Sequence, residues 1–183
     1  MKTFNELWDK INDGGIVVQD KHELEHVFNL MKDCESYLEV GTAEGNSLYV
    51  LGHALKPGSH ITYIDWDEPH TREHRLKMIK LLVDDGYHVH AIHGNTLHLE
   101  IKHQANAKRY DVVLIDAGHS YYEVQSDAKG YAHLANKYVL FHDIMLPEVN
   151  QAFDEFVLGK SISMKAAYTI SNSETYGYGV IER

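Results

Sequence analysis

Glu39-Val40-Gly41-Thr42-Ala43-Glu44-Gly45-Asn46-Ser47 joins two segments of different periodicity. Ahead of it, residues 37–40 read as a short buried strand. Behind it, residues 47–55 carry helical spacing and stop at Pro57-Gly58. Gly41 permits a sharp turn, and Gly45 lets the backbone approach a ligand closely. The stretch is not the dinucleotide pattern G-x-G-x-x-G. Ala43 stands where such a site has the second Gly that admits a pyrophosphate, and Gly45 comes one residue early. Glu39, two residues before Gly41, is a poor neighbour for phosphates and a good one for an ammonium group.

Outward from this turn, helical and strand patterns alternate along the whole chain. Before it, residues 4–11 place Phe4, Leu7, Trp8 and Ile11 at helical spacing, and Asn12-Asp13-Gly14-Gly15 breaks the pattern. Asp20 is positioned to cap a second helix with Leu24, Val27, Phe28 and Met31 on one face. After the turn come strands over 61–64, 89–92, 110–115 and 138–141, separated by helices over 69–83, 97–105 and 121–134 and followed by one over 147–158. Pro69 and Asp84-Asp85-Gly86 bound the longest helix. Two β-rich runs, 163–170 and 177–181, close the chain across a connection short enough only for antiparallel pairing. The pattern predicts an α/β fold: a Rossmann-like, doubly wound, mostly parallel sheet with a C-terminal antiparallel β-hairpin. Residues 1–183 are read as a single domain, with 1–33 a helical extension packed on it.

Ligands of an open parallel sheet bind beyond the C-terminal strand ends. Those ends here read Glu39-Val40-Gly41, Asp65, Gly94-Asn95, Asp116 and His142-Asp143, so polar residues converge at each. Asp65 lies 24 residues beyond Gly41, near the offset of a ribose-binding acid. Elsewhere the polar residues read as surface: His70, His74 and Lys77 as a solvated helix face, and His88 and His90 as an exposed strand face. Tyr168, Tyr176 and Tyr178 read either as an aromatic wall of a cleft or as an oligomer contact.

Taken together, the 39–47 turn, Tyr63-Ile64-Asp65-Trp66, His93-Gly94-Asn95, residues 111–121 and Val139-Leu140-Phe141-His142-Asp143-Ile144 resemble the class I S-adenosylmethionine (SAM) methyltransferases, and more narrowly family 24. That family in turn resembles the cephalosporin-hydroxylase-like and macrocin-type O-methyltransferases. The resemblance runs from about residue 35 to 181. It departs at Ala117, where the family usually has Gly, and at Asn136-Lys137, where a Gly pair commonly stands. It implies O-methylation of a small molecule or sugar with SAM as cofactor; the alternative is a SAM-binding interaction module without catalysis. Glu39 and Gly41 would face the methionine end of SAM, with Thr42, Ala43, Gly45, Asn46 and Ser47 wrapping it. Asp65 would bind the ribose, Trp66 would border the adenine, and Gly94 and Asn95 would approach its edge. Asp116 and His119 would line the cofactor side of the active site, with His119 or His142 the natural base. The metal-dependent relatives imply a divalent cation, Mg²⁺ or Mn²⁺, at Asp116, His142 and Asp143, although an acid stands at the His142 position in the nearest of them.

Composition narrows the remaining classes. The chain has 27 Asp and Glu against 17 Lys and Arg, an acidic balance that argues against wrapping nucleic acid. Full protonation of its 14 His would reverse the sign of that balance. No apolar run approaches the roughly 18 residues of a membrane span, and residues 1–15 show no secretory leader. Cys34 is the only cysteine, so no internal disulfide forms and a cytoplasmic location is expected. The expected partner is a small-molecule acceptor, and a homo-oligomer is an association the sequence leaves open. The 41–45 turn and the final hairpin argue against an NAD-dependent oxidoreductase.

Overall fold

The structure is a computed structural model that describes residues 2–13, 19–66, 68–160 and 162–183. Two helices precede the sheet, α1 (Phe4–Asn12) and α2 (Lys21–Leu30). Thr3 and Glu6 form a reciprocal capping box on α1. Asp20 caps α2 by accepting from the backbone N–H groups of His22 and Glu23. Gly14 and Gly15 of the predicted break lie outside the described residues.

The remainder alternates as expected: β1 (Ser36–Val40), α3 (Asn46–Gly52), β2 (His60–Asp65), α4 (Pro69–Asp84), β3 (His88–His93), α5 (Leu99–Ala105), β4 (Tyr110–Ile115), α6 (Tyr121–Tyr131), β5 (Ala135–His142), α7 (Pro147–Leu158), β6 (Ala166–Ile170) and β7 (Tyr178–Glu182). The predicted 121–134 helix ends in a 3₁₀ turn over Ala132–Leu134. The fifth strand is longer than the predicted 138–141 because β5 has partners on both edges, parallel β4 and antiparallel β7. The sheet order is β3-β2-β1-β4-β5-β7-β6, with β6 and β7 the antiparallel pair. Among the described residues no helix is long and apolar enough to cross a membrane.

Strand alternation sends successive side chains to opposite faces. Tyr37, Ile61, Tyr63, Val112 and Leu114 join the layer of α1 to α4, whereas Leu38, Val40, Ile64, Val113 and Ile115 join that of α5 to α7. The N-terminal helices are part of the first layer, through Leu7, Ile11, Leu24 and Val27.

Strand order reverses between β1 and β4, the switch point at which an open sheet leaves a crevice. Here the backbone after β1 presses on the backbone after β4. Gly41 adopts φ +88°, and a Cβ on it would lie 2.4 Å from Ala117 Cα and 2.4 Å from the Asp116 carbonyl oxygen. Gly41→Ala therefore forces two backbones apart and strains φ; we expect a loss of at least about 2 kcal/mol, read as a fall in melting temperature of roughly 5 °C or more.

A second prediction concerns Asp127 of α6. It is 1% exposed, its Oδ2 accepts from Thr96 Oγ1 at 2.9 Å, and its Oδ1 has no partner among the described residues. Burial pushes its pKa from 3.8 up to about 6. The folded state thus holds this proton more tightly than the unfolded chain, so its contribution to stability falls as pH rises from 3.8 through about 6 and is level above. Asp127→Asn removes that slope. The variant's stability relative to the wild type should rise by about 2–3 kcal/mol across this window in chemical denaturation at stepped pH, and a pH-independent difference would refute the assignment.

Candidate active site

Two cavities open beyond the C-terminal strand ends and share one wall. The larger, about 380 Å³, lies over β2, β3 and the start of α6; the smaller, about 210 Å³, lies over the β5 side. Gly41, Thr42, Ala43, Asp116 and Ala117 line both. The shared wall is thus the glycine turn packed on the end of β4. Ala43 and Gly45 hold positive φ, +44° and +81°, and the Gly45 N–H closes the turn on the Thr42 carbonyl at 2.8 Å.

The sequence-predicted residues divide between these spaces. Asp65, Trp66, Gly94 and Asn95 line the larger cavity, while Gly45, Asn46, Ser47, His119, His142 and Asp143 line the smaller. Trp66 is 64% exposed at the mouth, its Nε1–H donating to Glu68 at 3.0 Å. Asn95 turns its side-chain oxygen back to accept from the Leu97 N–H at 2.9 Å.

Glu39 lines neither cavity. It is fully buried behind the wall, accepting from Ser47 Oγ at 2.9 Å and from the Tyr37 hydroxyl. Burial, reinforced by the nearby Asp116 and Asp65 carboxylates, outweighs those hydrogen bonds and pushes its pKa up to about 8. Expected to face the cofactor, Glu39 instead braces Ser47 from behind, because period-2 alternation turns it into the α1–α4 layer with Tyr37. Asp65 is also committed within the chain: its Oδ2 accepts from the N–H groups of Thr42 at 3.0 Å and Ala43 at 2.9 Å.

The polar centre of the smaller cavity is built from the ends of β4 and β5. His142 is buried, with Nδ1 at 3.1 Å from Asp116 Oδ1 and 3.3 Å from Asp143 Oδ2. Asp143 takes φ +55°, which turns its carboxylate to meet both His142 and His119. His119, half-exposed, places Nε2 at 2.8 Å from Asp143 Oδ2. Burial pushes the His142 imidazole down, but Asp116 and Asp143 outweigh it and raise its pKa to about 10. Burial pushes Asp143 up, and its hydrogen bonds to His119 and His142 hold it well below the usual carboxylate range. The hydrogen bond to Asp143 raises His119.

Asp116, His142 and Asp143 each offer one ligand atom, all within 4.8 Å of one another. Adjacent ligands on a cation with bonds of about 2.1 Å stand about 3 Å apart, close to the two Nδ1–oxygen separations. With the two carboxylates drawn slightly together, the three donors could hold a divalent cation, which would displace the proton from Nδ1. His142 Nε2, by contrast, is buried with no partner among the described residues.

Several lining residues carried no signal in the sequence. Gln19, ahead of α2, lines the smaller cavity, and its Oε1 accepts from the Tyr178 hydroxyl at 2.6 Å. Tyr176 and Tyr178 stand 6.2 and 4.8 Å from the His142 ring without lining either cavity, whereas Tyr168 bonds Glu182 on the outer hairpin. Leu97 and Glu123 line the larger cavity, as does Thr96, which Asp127 fixes from behind. His74 does not lie on a wholly solvated face: its Nε2 bonds Asn46 Oδ1 at 3.0 Å.

Comparison with known proteins agrees with this geometry. A family model for a methyltransferase domain, family 24, matches residues 38–144, more than half of the chain. Among curated proteins no sequence relative matches. Among solved structures, the chain resembles an O-methyltransferase from Bacillus cereus in complex with S-adenosylhomocysteine (SAH), at TM-score 0.71 and 14% identity, covering 100% of this chain and 92% of that one. It also resembles the SAH-bound methyltransferase PaMTH1 of Podospora anserina, at TM-score 0.70 and 15% identity, covering 97% and 86%. A third similar structure is the SAM-bound O-methyltransferase TomG of Streptomyces achromogenes, involved in tomaymycin synthesis, at TM-score 0.68 and 16% identity, covering 98% and 86%. With the sheet order, the crevice at the switch point and the family match in agreement, the chain belongs to the family 24 methyltransferases and is an enzyme of the class I SAM-dependent methyltransferase fold.

Proposed function

We propose that the chain transfers the methyl group of SAM to an oxygen of a small molecule or sugar. The observation that carries this reading is the wall common to the two cavities, formed by residues 41–43 with Asp116 and Ala117. A cofactor in the larger space and an acceptor in the smaller meet across that wall, where the sulfonium methyl faces an incoming oxygen. Trp66, Gly94 and Asn95 border the adenine, Asp65 stands at the ribose, and residues 41–43 of the turn receive the methionine end, whereas Asn46 and Ser47, expected to wrap it, face the acceptor space. All of residues 1–183 serve as one catalytic domain, in which the 1–33 extension supplies Gln19 to the acceptor cavity.

The methyl group of SAM is already activated, so the protein has to align an oxygen lone pair behind it and remove a proton. Asp143 orients His119 through Nε2, leaving the other ring nitrogen to take the acceptor's hydroxyl proton. His142 fixes Asp116 and Asp143 relative to one another from below. A Mg²⁺ or Mn²⁺ ion held by Asp116, His142 and Asp143 would supply Lewis acidity that lowers the acceptor's pKa.

The test combines calorimetry with turnover. SAM and SAH should bind and NAD should not. His119→Gln should keep SAH affinity within about threefold of wild type while SAH release on a panel of hydroxylated acceptors falls by about 100-fold or more. NAD binding without SAM binding would overturn the assignment. Tight SAM binding with no transfer to any acceptor would instead make the chain a SAM-binding interaction module.

A further inference from the structure

Helix α4 carries a cation, Arg75, that is only 1% exposed and lines neither cavity. An arginine is almost never buried this completely unless its charge is paired. Its Nη1 donates to the Ala43 carbonyl oxygen at 2.7 Å and to Thr71 Oγ1 at 3.3 Å, and stands 3.0 Å from Asp65 Oδ1. The second oxygen of Asp65 accepts from the Thr42 and Ala43 N–H groups. Both backbone polar groups of Ala43 are thus held, its N–H by Asp65 and its carbonyl by Arg75, and the Arg75–Asp65 ion pair closes the ring.

Ala43 needs such a clamp. It is the non-glycine residue of the turn at positive φ, +44°, where a Cβ crowds the backbone. Its side chain is exposed, so no packing of its own holds it there. The same helix supports the next turn residue: a Cβ on Gly45 would lie 3.4 Å from Cα and Cγ of Arg75. Both cavities depend on this one conformation, because residues 41–43 form the wall between them.

We propose that Arg75 is a positioning residue which, through Asp65 and Ala43, holds residues 42–45 in the conformation that forms the wall between the cofactor and acceptor cavities. It rests on the reading of the larger cavity as the SAM site. Its consequence is that Asp65 has two duties, toward the cofactor and toward the turn, with Arg75 setting the plane of its carboxylate. Arginine suits this task because its guanidinium keeps its charge when buried and holds its donors in a rigid plane, whereas a lysine ammonium on a flexible stem readily loses its proton on burial.

Arg75→Lys should weaken SAH binding at least 10-fold in calorimetry while the melting temperature stays within a few degrees. Glycine adopts the left-handed turn without a clamp, so adding Ala43→Gly to Arg75→Lys should recover affinity to within about threefold of Ala43→Gly alone. A residue that merely filled space would show no such rescue. In ligand-free protein, the Thr42 and Ala43 amides should exchange at least 10-fold faster in Arg75→Lys than in wild type, with the β1 amides unchanged. Should Arg75→Lys fail to fold, Asp65→Asn breaks the same ring from its other side and should give the same amide pattern. Wild-type SAH affinity in Arg75→Lys, failure of the rescue, or unchanged Thr42 and Ala43 exchange would each overturn the proposal. Absence of SAH binding by the wild-type protein would refute the cofactor reading, and amide exchange would still decide the clamp.

Discussion

The close approach of Gly41 to the Asp116–Ala117 backbone is the constraint on which the site depends. It brings together the ends of the two strands that flank the switch point, β1 and β4. With those ends in contact, the space beyond the sheet divides in two. One part lies over β2 and β3 and the other over β5. On the proposed reading, that division gives cofactor and acceptor a binding volume each, on the two sides of one shared wall.

Electrostatics follow the same partition. On the β5 side, two carboxylates bracket a buried imidazole, and the half-exposed His119 makes a third contact, with Asp143. On the other side, a buried guanidinium pairs with Asp65. Behind the wall, Glu39 is held neutral-leaning by burial with Tyr37 and Ser47 as its partners. The acids at the strand ends, Glu39, Asp65, Asp116 and Asp143, thus each have internal partners, the state expected of buried or half-buried charge.

Much of the architecture was legible in the residues. Strand-then-helix alternation and the short final connection are local properties, and period 2 against period 3.6 distinguishes them. Asp20 as a cap and Pro69 as a helix opener depend on their immediate neighbours, and both stand where expected. The strand-end positions of Asp65, Gly94, Asp116 and His142 were likewise readable, since a strand's end is a matter of one chain segment. Less was legible of what each side chain does there. Glu39 turns away from the cavities because alternation from Tyr37 puts it in the core. Arg75 was hidden in α4, although Thr71, Arg75, Met78 and Leu82 recur in helical phase with a charge in the buried stripe. That recurrence was the available clue.

The sequence by itself determined the order of elements, the doubly wound class and the residues brought to the C-terminal rim, because these depend on local periodicity and on the handedness of short connections. Only the tertiary structure decided how the rim is used. It placed Gln19 and Tyr178 against the β5 side, set His142 between two carboxylates, and closed Arg75 on Asp65 and Ala43. Apart from the neighbouring pair His142 and Asp143, these contacts join residues on different elements, with partners from 26 to 159 positions apart in the longer cases. Such contacts are specified by how the layers pack, and no local pattern encodes them.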